Sequence, residues 1–295
     1  MGLHSESRHT ISAPLTATAS GLTCFGASCC MEQTVMTHPQ NLTRLHDGEE
    51  SLRSKSIEAI EAFPDLLAHA RLVESSMDLI DYFARQYPHA DEDQLTIQCL
   101  GIRLFNGTAS ALKLLLSGYY QSSAFQQRDL LETIFLLDYL RSNRSEIPVW
   151  RAGDAKTHRD RFRPAKIRKA LDDRDGFTER KRSKAYQLLC ELASHPTPTG
   201  FRMLTPVAGG NAHCGPFFEH TAMSAVLSEL AKHLVQAAEV FHLFFDPRNR
   251  ADCETKVSFL EARGLWLEKF FGHPFDRRKV EELRAHLSKV HAQPA

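Results

Sequence analysis

At 295 residues, 42% of them apolar and 24% charged, the chain is long enough to bury a sizeable core as one large domain or two. Its 36 basic residues are balanced by 36 acidic ones, which excludes the overall positive field of a protein built chiefly to hold nucleic acid; such binding would need a local patch. Seven scattered cysteines without a C-x-x-C pair argue against a disulfide framework or a zinc site and point to a reducing, cytoplasmic setting.

Residues 1–48 are expected to be a disordered extension. Their first part is rich in Ser, Thr, Ala and Gly and lacks the charged start and dense apolar core of a signal peptide, while Met31 and Met36 stand near where order would begin. From residue 49 to 295 the periodicity predicts a single all-α domain. SLRSKSIEAIEAF carries Leu52, Ile57, Ile60 and Phe63 at helical spacing, and Pro64 then opens a second helix running to about Pro88. The third predicted helix starts at an acidic cap near Asp91, places Ile97, Leu100, Leu104, Ala111 and Leu115 on one side, and stops near Gly118. In the next, LLETIFLLDYL is apolar nearly all round, which marks a helix at the centre of a bundle.

After Asn143 the chain turns irregular and charged, with one short helix expected after Pro164 and another capped by Thr178. HPTPTGFRMLTPVAGGNAHCGP is a long Pro- and Gly-rich connector with room for a short hairpin, and connectors of this length inside a domain are usually functional or mobile. Three further helices, starting near Phe217, Asp252 and Asp276, complete the pattern. The apolar runs TIFLL and FHLFF fall short of the roughly 20 residues that span a bilayer, so no membrane partner is expected.

One residue breaks the apolar character of the central helix. Glu132 lies inside LLETIFLL, where a buried carboxylate requires a partner, and Arg128 one turn earlier can provide it at i, i+4 spacing. Asn106 or Asp138 could join the same polar layer. Further on, Tyr186, Leu189, Cys190 and Ala193 form a stripe that ends at His195, where Pro196 stops the helix. His195 then has two readings: a cap on the last carbonyls, or an imidazole turned across the bundle toward Arg128, Glu132 and Tyr186.

The R-x-x-x-E pattern of Arg128 and Glu132, followed by Y-x-x-L-C and His195-Pro196, resembles a bacterial family of unknown function with HEPN-like helical bundles. The similarity runs from about Ile102 to Phe218, placing an HEPN-like core at about 91–245 with additional C-terminal helices outside it. The wider group includes RNA-cleaving toxins and defence nucleases as well as non-catalytic relatives. Its nucleases carry Arg, then four to six residues, then His. No such Arg precedes His195, and the two matches elsewhere, Arg151 with His158 and Arg284 with His291, are what chance supplies.

The resemblance therefore leaves two functions open. One is a non-catalytic interaction or regulatory protein in which Arg128, Glu132, Tyr186 and His195 form a buried polar layer, with a homodimer as one form of partner. The alternative is an RNA-binding or RNA-cleaving protein in stress or defence, with the same four residues as catalytic candidates and His195 as acid or base. RNA would then meet segment 159–184, which carries eleven basic residues against five acidic ones. His213, Cys214, Glu219 and His220 lie close together but match no standard metal spacing, and no cofactor motif is present.

Overall fold

A computed structural model describes residues 39–290 apart from Ala208, and the expected disorder of residues 1–38 lies outside them. Among the described residues there are eleven α-helices, one π turn, one 3-10 turn and no strand. The core is formed by α2 (Pro64–Arg85), α3 (Glu92–Leu116), α4 (Tyr120–Ser142) and α9 (His220–His242). In this bundle α2 lies between α3 and α9, and α4 also packs on both. The four helices converge on side chains such as Phe83, Leu104, Leu137, Phe241 and Phe245, all fully buried. Each such residue contributes about 1.5–3 kcal/mol by leaving water.

The sequence explains much of this locally. Pro64 occupies the first turn of α2, where its missing N–H costs nothing. Asp91 caps α3 by accepting from the Gln94 N–H at 2.7 Å, and the five residues of the predicted α3 stripe are all buried. Gly118 has a φ of +84°, and a side chain there would meet the Phe217 carbonyl 2.5 Å away, so the tight passage from α3 to α4 requires glycine. By length and composition alone α3 could cross a membrane, its 18-residue window having a mean hydropathy of 1.2. The expectation drawn from TIFLL and FHLFF overlooked it. In the fold α3 packs against α2, α4 and α9.

Several boundaries differ from expectation. Helix α1 (Gln40–Ala62) begins nine residues before the predicted domain start, because its first turns are exposed and carry no apolar stripe to reveal them. Its fully buried residue is Ser56, whose hydroxyl donates to the Leu116 carbonyl at 2.9 Å, whereas Ile57 and Phe63 of the predicted stripe are exposed. Two short helices, α5 (Glu146–Ala152) and α6 (Ala155–Arg161), occupy the stretch expected to be irregular before α7 (Pro164–Arg174). Helix α8 (Lys181–Leu189) starts from Arg180 in left-handed backbone, φ 52°, and not from a Thr178 cap. The connector holds a 3-10 turn, Gly200–Leu204, where a hairpin had room to form. Beyond the bundle, α10 (Arg250–Phe271) docks on α2, where Trp266 Nε1 donates to His69 Nδ1 at 2.9 Å, and α11 (Arg277–Val290) packs on α10.

Candidate functional site

Three of the four residues singled out in the sequence meet at one place. Arg128 and Glu132 share a face of α4 and pair at 3.1 Å. Leu189 and Cys190 are buried where α8 and the following turn pack on α4, so Tyr186, one turn earlier on the same face, reaches the pair. Its hydroxyl donates to Glu132 at 2.6 Å and accepts from Arg128. Arg128 also donates to the Cys190 sulfur at 3.3 Å. The pair is not sealed in the core as the surrounding leucines suggest; each side chain keeps 27% of its exposure because this face of α4 lies toward the outer layer of α7 and α8.

Burial, aided by the bond to Glu132, pushes the Tyr186 phenol up to about 12, so it stays neutral at physiological pH. Burial alone would lower the Arg128 guanidinium; its contacts with Cys190 and Glu132 outweigh that and hold it above its ordinary value. A residue the sequence did not single out completes the cluster. Arg168 of α7 is buried and lies over the Tyr186 ring at 3.9 Å, and the Arg128 guanidinium is 4.7 Å from the same ring. Cation–π attraction of this kind increases when the cation is desolvated. In sequence Arg168 is one of many basic residues in its segment, and nothing local distinguishes it.

His195 is elsewhere. It is exposed, and among the described residues its imidazole takes part in no hydrogen bond, ion pair or ring contact. The chain from Cys190 to Ser194 forms a π turn, closed by the His195 backbone N–H donating to the Cys190 carbonyl at 2.9 Å. Pro196 favours extended backbone at the residue before it, which His195 adopts with φ −112° and ψ 144°. Nor is its ring needed as a cap. Gln121 of α4 donates to the carbonyls of Leu192 and Gly200, each at 3.0 Å, and Thr197 donates to that of Glu191 at 2.6 Å. Both sequence readings of the His195 side chain are thus corrected, and Cys190 takes its place beside the other three.

Asp138 belongs to a second, separate network. It accepts two hydrogen bonds from Arg174 at 2.9 Å, while Arg182 bonds Asp172 at 2.9 Å and also pairs with Asp175. A hydrogen bond from Arg174, reinforced by Arg182, holds the Asp175 carboxyl down to about 2. Much of the basic segment is therefore spent internally, since Arg161 pairs with Glu146 and Lys169 with Asp173 as well. Asn106 is exposed on α3. Glu219 is engaged as the α9 cap, accepting from the Thr221 and Ala222 N–H groups. Among the described residues no three His, Cys, Asp or Glu side chains gather as a metal site.

Comparison of the chain with known protein families, with curated proteins and with solved structures gives no match in any of the three. The chemistry has to be read from the cluster itself. Glu132 is engaged by two partners, the phenol is neutral, and no free imidazole adjoins them. The arrangement fixes α8 against α4.

Proposed function

We propose that this chain is a non-catalytic interaction or regulatory protein of the cytoplasm, built on an HEPN-like bundle. The HEPN-like assignment rests on the resemblance of the Arg128–Glu132 and Tyr186–Cys190 motifs, carried by α4, α8 and the π turn that follows it. The observation that carries the non-catalytic reading is the mutual pairing of Arg128, Glu132 and Tyr186, with the His195 ring outside it. A second observation supports an interaction role. Among the described residues the three most exposed large apolar side chains, Val207 at 70%, Phe201 at 56% and Leu188 at 55%, all fall between residues 188 and 207. Phe201 and Val207 line one open cleft together, and adjoining apolar exposure of this kind suits a contact surface.

The partner expected first is a second copy of the chain. Sedimentation equilibrium of the protein beside its Phe201→Asp variant tests this: self-association should weaken in the variant. An RNA-binding role is the second reading, favoured by Arg163, Arg180, Lys181 and Lys184, which are exposed and have no carboxylate partner among the described residues. Incubation with a mixed RNA pool, with and without EDTA, separates the two. No cleavage is expected. Cleavage that persists in EDTA and disappears in His195→Ala would overturn the non-catalytic reading.

A further inference from the structure

A cleft of about 470 Å³ opens between α4, α8 and α9, away from the Arg128 cluster. Its floor is apolar: Leu131, Ile134 and Phe135 of α4 line it and are themselves buried. Its wall includes His233 of α9, only 6% exposed, whose Nδ1 is enclosed without a hydrogen-bond partner. Burial also pulls this imidazole down to about 4, so it adds no charge to the wall at physiological pH.

The charges around the cleft point to the kind of molecule that fits. The lining carboxylates are already paired: Glu229 with Lys232 at 2.6 Å, Glu239 with Arg263, and Asp138 with Arg174 at 2.9 Å. Arg182 is held by Asp172 and Asp175. Lys181 remains, without a carboxylate partner among the described residues, its ammonium 5.1 Å from the Phe177 ring at the edge of the cleft. It is also the first residue of α8, a nine-residue helix that begins there with no side-chain cap, so its positive end adds to the lysine. An apolar floor, lining carboxylates already paired and one uncompensated positive edge fit a small-molecule site.

We infer that this cleft binds a small amphipathic monoanion, an aromatic carboxylate, with its ring on Leu131, Ile134 and Phe135 and its carboxylate at Lys181 and the start of α8. This inference does not depend on the interaction role proposed above. A cation is disfavoured by the same edge, and a fully apolar ligand would gain nothing from Lys181.

The test uses the full chain and three probes with one ring system: indole-3-acetate, indole-3-acetamide and tryptamine. Each is titrated calorimetrically and followed by backbone amide NMR shifts around Ala185 and Lys232. Indole-3-acetate should bind saturably and at least about tenfold tighter than the amide, with tryptamine weakest, and its affinity should fall as salt is raised. Two surface substitutions keep the fold out of question. Ala185→Trp should fill the cleft and abolish binding of all three, whereas Lys181→Glu should weaken only the carboxylate. Absence of saturable indole-3-acetate binding at millimolar concentration would overturn the inference. So would equal affinity for tryptamine, or binding indifferent to Ala185→Trp.

Discussion

Replacing Glu132 by alanine removes the acceptor of the Tyr186 hydroxyl, 2.6 Å away, and the partner of Arg128 at 3.1 Å. Breaking a fully buried ion pair costs about 3–5 kcal/mol, and breaking an exposed one about 0–1 kcal/mol. With 27% of both side chains exposed, and with Arg128 still able to reach Cys190 and water, the loss should be intermediate, about 1–2 kcal/mol. In a domain of this size that lowers Tm by about 3–6 °C. The assay is urea unfolding of the wild type, Glu132→Ala, Tyr186→Phe and the double variant, with m unchanged across the set. The two residues should couple by about 1 kcal/mol, and Glu132→Gln, which keeps an acceptor, should cost less than the alanine. Single losses that add within roughly 0.3 kcal/mol would refute the reasoning, because independent sites behave that way.

Acid should act through His233. Its folded value near 4 lies below the ordinary 6.5, so the unfolded state binds the extra proton. Stability is then complete above about 6.5 and is lost as pH falls toward 4, by about 3 kcal/mol for this residue; urea midpoints measured across that window, beside a His233→Leu variant lacking that part of the slope, check it. Gly118→Ala should destabilise by about 1–3 kcal/mol, since it combines left-handed backbone with a clash on the Phe217 carbonyl; a thermal midpoint equal to that of the wild type would contradict the passage described between α3 and α4.

What could be read in advance was whatever a single helix determines. Pro64, the Asp91 cap and the α3 stripe from Ile97 to Leu115 depend on local backbone and one buried face, and each is found where periodicity places it. The pairing of Arg128 with Glu132 was legible for the same reason, being one turn apart on α4. Features that depend on a second element were not. Within the surplus of positive charge after Arg159, spacing could not tell Arg174 and Arg161, which Asp138 of α4 and Glu146 of α5 hold, from the basic residues left exposed. Arg168 gained its role when folding set it on the Tyr186 ring. His195 was misread because its orientation follows from a widened turn and from carbonyls already taken by Gln121 and Thr197, neither of which leaves a mark in the spacing of residues.

The π turn from Cys190 to Ser194 also bears on how this segment could change in length. Such a turn holds one more residue than an α-turn over the same span, in effect an insertion absorbed without dislodging what precedes it. Removing a single residue between Leu192 and Ser194 would restore α-helical spacing. Because the wider turn covers the same arc as an α-turn, Tyr186 and Cys190 would stay seated on α4 and the chain from Pro196 onward would keep its course. A one-codon deletion in the turn would therefore leave both the Tyr186 cluster and the hold of Gln121 on Gly200 intact, whereas the same deletion within α8 would turn Tyr186 off α4 by roughly 100°.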